Sequence, residues 1–190
     1  MKAIMLDIET LGLRADSAIV QVGVCAADIR TGEYLVAPTN WWVNPVKGTD
    51  MDIGTVRWWM RQSDAARQAV FGKEDAHATA VPSVYWQLHD IYENRLGGKD
   101  AGVTVWASPA MFDLPMLTQT FSRAMKQRDA KPWPYHMERD LMTLYKMLDP
   151  EKKLKPTNPV EHDAASDAKA QMAHLIAIFQ ANQAILKGAI

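Results

Sequence analysis

An α/β fold built on a mixed sheet and flanked by helices is predicted by three features of this 190-residue chain. The first stretch, through Asn44, consists of strand-like apolar runs separated by turn residues, the pattern of an antiparallel meander. From Ile53 onward, segments with three-four apolar spacing alternate with further short strand-like runs. An alanine-rich helical stretch then closes the chain from Asp163 to about Leu186. Strands in series followed by alternating helices and strands pack most simply as a mixed sheet with helices against it.

The elements read in order as follows. Ala3–Ile8 is a short buried strand, and Ser17–Ile29 (SAIVQVGVCAADI) is a second one, rich in Val and Ile. The turn Arg30-Thr31-Gly32-Glu33 leads to a third, Tyr34–Asn44. Pro, Gly and Asp make 45–52 a loop, after which Val56, Trp59, Met60 and Ser63 follow helical spacing that DAARQAVF continues. Gly72–Ala80 reads as a surface loop. Pro82 sits where a first helical turn tolerates proline, and that helix stops near Gly97-Gly98. Val103–Ala107 (VTVWA) is a core strand, and Leu114–Gln127 is an amphipathic helix with Leu117, Phe121 and Met125 on one face. Tyr135–Asp140 is a short strand, Leu141–Leu148 a short helix, and the proline-rich stretch Asp149–Pro159 an exposed, mobile loop.

Composition narrows the classes. With 21 Lys+Arg against 22 Asp+Glu, the net charge of −1 advertises neither a polyanion-coating protein nor a membrane-surface one. A local basic rim would still suffice for an enzyme that grips a few terminal nucleotides. The lone Cys25 excludes an intrachain disulfide framework and fits a reducing, cytoplasmic setting. Asp7 and Glu9 interrupt the apolar N-terminus, and no segment is apolar for long enough to span a bilayer. The length fits a single domain over residues 1–190.

The chemistry is concentrated in acidic residues. In MKAIMLDIET, strand alternation puts Asp7 and Glu9 on one face and turns Ile8 into the core. Two like charges at the end of a core strand repel unless a cation lies between them. The chain holds a second Asp-x-Glu, Asp149-Pro150-Glu151, and chance alone supplies roughly half of one. That second triplet lies in the proline loop and reads as solvated surface. Asp113 follows the strand VTVWA at the mouth of a helix, where it could equally be a helix cap. His162 and Asp167 are five positions apart at the start of the last helix, with Asp163 placed to cap it.

Taken together, Asp-x-Glu on the first strand, a central Asp before a helix, and a C-terminal His-x4-Asp resemble the DEDDh class of 3′–5′ exonucleases. Relatives in that class include RNase T, oligoribonuclease and proofreading subunits. The resemblance implies a ribonuclease-H-like fold over about residues 1–180. Thr55-Val56-Arg57-Trp58-Trp59-Met60-Arg61-Gln62-Ser63, Val105-Trp106 and Arg139-Asp140 look like bacterial and phage members of exonuclease VIII type and RNase AS type. Leu114-Pro115 after Asp113 departs from that pattern, where a polar residue is usual.

The resemblance implies a two-metal phosphodiester hydrolysis releasing nucleoside 5′-monophosphates. Paired cations about 3.5–4 Å apart activate the water, stabilise the leaving oxygen and neutralise the transition state. Hard oxygen ligands suit two Mg²⁺ per site, with Mn²⁺ as a substitute. By resemblance Asp7 bridges both metals, Glu9 and Asp167 complete one shell, and Asp113 holds the second. His162 is the general base, histidine being the side chain that ordinarily titrates near neutral pH. Thr10, Leu11 and Gly12, which follow the Asp-x-Glu, are the expected contacts to the terminal nucleotide of single-stranded DNA or RNA. Trp59 and Arg61 are further substrate candidates, although core packing and a solvated face also explain such residues. A homodimer is implied in the same way, and no membrane partner is. A non-catalytic nucleic-acid-binding or assembly module of the same fold would be marked by loss of one of the five residues, and all five are present. An unrelated metal hydrolase, such as a phosphatase, would share the motifs only by accident.

Overall fold

A computed structural model of the chain describes residues 1–72, 78–158 and 160–186. Strands β1 (Lys2–Thr10), β2 (Ile19–Asp28) and β3 (Tyr34–Trp42) form the expected meander. With β4 (Thr104–Ala107) and β5 (Glu138–Asp140) they make a five-stranded sheet in the order β3-β2-β1-β4-β5. The β1–β2 and β2–β3 pairs are antiparallel, whereas β4 pairs parallel to β1 and β5 parallel to β4. The sheet is mixed, as the sequence predicts.

Helix α1 (Ile53–Trp59) is capped by Asp52, whose carboxylate accepts the Thr55 N–H at 2.7 Å. Helix α2 (Asp64–Phe71) starts afresh at Ser63, whose hydroxyl accepts the Ala66 N–H at 3.2 Å. The expected continuous helix is thus broken in two. Arg67 covers the break, its guanidinium donating to the carbonyls of Met60 and Gln62. Helix α3 (Val81–His89) opens with Pro82 in its first turn, runs on as a wider π-helical turn (Asp90–Arg95), and ends before Gly97 at φ 91°. Helix α4 (Ala110–Met125) begins before the expected Leu114, because the Asp140 carboxylate accepts the Ala110 N–H at 2.7 Å. The predicted strand over Tyr135–Asp140 divides into a 3₁₀ turn (Tyr135–Met137) and β5. Helix α5 (Leu141–Leu148) is capped by Asp140, and α6 (Ala164–Ala181) by Asp163, before a short terminal turn α7 (Gln183–Leu186). Most of the Gly72–Ala80 loop lies outside the described residues. Among the described residues, no helix is long and apolar enough to cross a membrane.

Two apolar layers follow from strand alternation. Ile4, Leu6 and Ile8 of β1 pack with Leu88 and Tyr92 of α3 and its extension and with Leu117 and Phe121 of α4. Ala3 and Met5 point the other way, onto Ala168, Met172 and Leu175 of α6. Asp7 and Glu9 continue this second row, so their carboxylates lie on the α6 face of the sheet.

How α6 reaches them is set on the neighbouring strands. In the sheet register Asp7 lies opposite Gly23 and Gly23 opposite Asn40, while Glu9 lies opposite Gln21. The first turn of α6 rests on Gly23, where a Cβ would overlap the Ala164 carbonyl and the Ala165 nitrogen. On either side an amide reads the helix start. Ala164 N–H donates to Gln21 Oε1 at 2.9 Å and Ala165 N–H to Asn40 Oδ1 at 2.6 Å, while both side-chain NH₂ groups donate to Asp163 Oδ2. Backbone N–H groups that a helix start leaves open are thereby satisfied by the sheet.

Gly23→Ala is expected to destabilise the chain by about 1–3 kcal/mol or more, because backbone atoms cannot step aside as a flexible side chain does. Urea denaturation checks this; wild-type stability in that variant would mean α6 does not sit this close.

Candidate active site

Four carboxylates converge where the C-terminal ends of β1 and β4 meet the starts of α4 and α6. Asp7 and Glu9 come from β1. Asp113 lies inside the first turn of α4 rather than before the helix, only 3% exposed, and its Oδ1 accepts the Ile8 N–H at 3.2 Å. Asp167 is in the first turn of α6, a turn seated on the sheet by Gln21 and Asn40. Asp163 does serve as the cap of this helix, accepting the Ser166 N–H at 3.0 Å.

Gathering acids in a buried place makes each harder to ionise. Burial holds the Asp7 carboxyl well above the ordinary carboxylate range, and Asp113, Glu9 and Asp167 add to the effect. Glu9, 8% exposed, is pushed up to about 8 by burial and then by Asp167, Asp113 and Asp163. Asp113 is raised to about 7, mainly by burial, against the relief given by the Ile8 N–H. Asp167 is raised by burial too, opposed by hydrogen bonds from His162 and Asn158. His162 gives Asp167 some electrostatic relief, and Gln171 is a neutral donor to Asp7 Oδ1, at 2.6 Å.

A hard divalent cation fits this donor set. The cluster is oxygen-only and anionic, and one further acceptor beside it, Gln171 Oε1, is buried without a hydrogen-bond partner. Among the described residues, Glu9, His162 and Asp167 bring ligand atoms within 4.8 Å of one another.

His162 stands at the edge of this cluster in a left-handed backbone conformation, φ 62°, which a residue with a Cβ adopts only where its surroundings demand it. The demand is visible: its N–H donates to Asp167 Oδ2 at 2.9 Å. Its ring meets Trp58 edge to face at 4.8 Å between centroids and Trp59 at 6.0 Å. The described residues 150–158 leading to it form the expected, largely exposed loop, but Asp149 at its start departs from that reading. Asp149, read as solvated, is buried against His174 of α6, with Nε2 and Oδ2 2.8 Å apart and Tyr145 stacked on the imidazole. Its carboxylate also accepts the N–H groups of Lys153 and Leu154. Glu151, by contrast, is exposed.

Beside the acids opens a cavity of about 510 Å³, lined by Glu9, Thr10, Leu13, Thr55, Trp58, Trp59 and Phe112 among others. The substrate candidates take different places around it. Thr10 lines it while its hydroxyl donates to the Gly12 carbonyl at 2.7 Å. Trp59 also lines it but is 3% exposed, its indole N–H donating to the Thr10 carbonyl at 2.9 Å. Leu11 packs with Val20, Trp59 and Val70 instead, and Gly12 is pressed against Ser17, leaving no room for a Cβ. Arg61 is exposed and does not line the cavity. Sequence reasoning missed Trp58 (41% exposed), Leu13 (74% exposed) and Phe112, all of which line it. It also passed over Asn158 and Gln171. For Gln171 a signal existed: it is four positions after Asp167 in a helix, hence on the same face.

Solved structures of exonuclease I share this architecture. E. coli exonuclease I in complex with a dT13 oligonucleotide superposes with a TM-score of 0.69 at 15% identity over 98% of this chain and 42% of that one. The zinc-bound E. coli complex with single-stranded DNA gives 0.69 at 16% identity, over 98% of this chain and 42% of that one. A product-bound exonuclease I gives 0.66 at 17% identity, over 97% and 44%. This chain therefore spans about two-fifths of the length of those structures, and the likeness establishes the ribonuclease-H-like fold. No curated protein matches the chain. Residues 2–179, however, match the Rv2179c-like 3′–5′ exoribonuclease domain, and the chain belongs to that family.

Proposed function

We propose that this chain is a metal-dependent 3′–5′ exonuclease that releases nucleoside 5′-monophosphates from single-stranded 3′ ends. The observation that carries the reading is the gathering of Asp7, Glu9, Asp113 and Asp167, each with its pKa raised, into one interacting acidic cluster, with Glu9 and Asp167 beside His162. The four carboxylates would hold two Mg²⁺, or Mn²⁺ in their place; such ions supply charge neutralisation and an activated water.

The chain's own groups do the rest. His162 would take the proton of the attacking water; Trp58 flanks its ring, and the Asp167 contact to its backbone N–H fixes the turn that carries it. Trp58, Leu13 and Phe112 offer an apolar cleft to the terminal base. Stacking on such a platform is worth about 1–3 kcal/mol per base and tolerates any base. The family description makes RNA the first polymer to test, and the oligonucleotides in the exonuclease I structures make DNA the second.

Digestion of 5′-labelled and 3′-labelled single-stranded RNA and DNA, with Mg²⁺ and with EDTA, decides the matter. Stepwise shortening from the 3′ end that needs the metal is the expected result. Absence of mononucleotide release from both polymers would sink the proposal and favour a binding module of the same fold.

A further inference from the structure

We infer that Asn158, which lies outside the acidic cluster, is a positioning residue that holds Asp167 in the orientation needed for cation binding. The inference rests on the metal-dependent reading above. Asn158 Nδ2 donates to Asp167 Oδ1 at 2.6 Å, while Asp167 Oδ2 accepts the His162 N–H at 2.9 Å. Each oxygen of the carboxylate thus has one fixed donor on the protein side, which sets its plane and leaves its remaining lone pairs for a cation. Ligating carboxylates held in this way are a general feature of metal sites, and losing the partner costs about 10–100-fold in metal affinity or activity.

The amide can face only one way. Its Oδ1 accepts the Val160 N–H at 3.3 Å, a group that cannot accept, and the Ser166 hydroxyl at 2.8 Å. The NH₂ end is therefore the one turned to Asp167, and a carboxylate can only accept. The segment bearing Asn158 is itself rooted, since Asp149 at its start is tied to His174 of α6. Asn158 accordingly joins the approach to His162 to the helix that carries Asp167. Its polar neighbourhood, a cavity of about 350 Å³ shared with Gln62, Ser63 and His162, leaves room for water where the side chain is cut back.

The test is calorimetric titration of Mn²⁺ into the substrate-free protein, wild type against Asn158→Ala and Ser166→Ala, with a melting curve for each. Asn158→Ala is expected to weaken Mn²⁺ binding by about 10–100-fold, and its cleavage activity to return to near wild type at saturating Mn²⁺. Ser166→Ala, which frees one end of the amide, is expected to give a smaller loss in the same direction. A merely structural role would lower the melting temperature without moving Mn²⁺ affinity, and that result overturns the assignment. So does full-strength Mn²⁺ binding by a folded Asn158→Ala. A wild-type chain that takes up no Mn²⁺ overturns the metal reading as well, so the two failures are told apart.

Discussion

Replacing His162 by alanine is expected to lower kcat for nucleotide release by about 10²–10⁴-fold, the usual contribution of a positioned general base. Mn²⁺ affinity, measured without substrate, should stay close to wild type. The split between the two readouts matters because the imidazole lies near enough to Glu9 and Asp167 to be a ligand instead. If it were, affinity and activity would fall together, and high Mn²⁺ would restore both. The fold should survive the change, since the contact that turns the backbone here is made by the His162 N–H and not by its ring. The variant still bears a Cβ at φ 62°, so it removes the imidazole without relaxing the turn. Near-normal turnover would take His162 out of the mechanism.

Asp7→Asn is expected to be inactive, with a loss of about 10³-fold or more, and yet more stable than wild type in EDTA at pH 8. On the proposed metal-dependent reading, removing a ligand to the cations would forfeit several kcal/mol of transition-state stabilisation. Stability moves the other way for an electrostatic reason. A carboxyl whose folded pKa lies above its unfolded value holds protons in the native state that the unfolded state has released. Its contribution is therefore fully present below the unfolded pKa and is lost as pH rises through the folded one. For Glu9 the window runs from 4.5 to about 8, and for Asp113 from 3.8 to about 7. Asp7, raised by burial and by its three acidic neighbours, shifts in the same direction. The metal-free chain should accordingly melt at a lower temperature at pH 8 than at pH 5, and Mg²⁺ should reverse the difference. Asparagine at position 7 keeps the shape and withdraws one charge. A melting temperature that does not depend on pH across this window would refute the account.

Much of this site could be read from the chain before its fold. Asp7 and Glu9 were legible because strand alternation is a local property, and β1 obeys it through Glu9. Asp113 was legible from its place after β4, although its helix starts earlier because Asp140, a residue of another strand, accepts the Ala110 N–H. His162 and Asp167 were marked by their spacing. What stayed hidden depends on distant partners. Which of the two cavity-lining tryptophans stays exposed follows from the rotation of α1, in which the Trp59 indole reaches the Thr10 carbonyl. Asp149 reads as a loop acid until His174 is found against it. The cavity walls come from Leu13, Trp58 and Phe112, residues of three separate segments, and no local pattern announces that they meet. The break between α1 and α2 was similarly masked, because the helical spacing of apolar residues runs on through Ser63.

The seating of α6 on Gly23 makes the acidic cluster a composite of segments far apart in sequence. Asp7, Glu9 and Asp113 are all translated long before Asp163 caps the helix that brings Asp167 and Gln171. A nascent chain lacking that helix carries three of the four acids and none of the groups that close the other side. The fourth acid thus joins the other three only where α6 is seated on the sheet at Gly23.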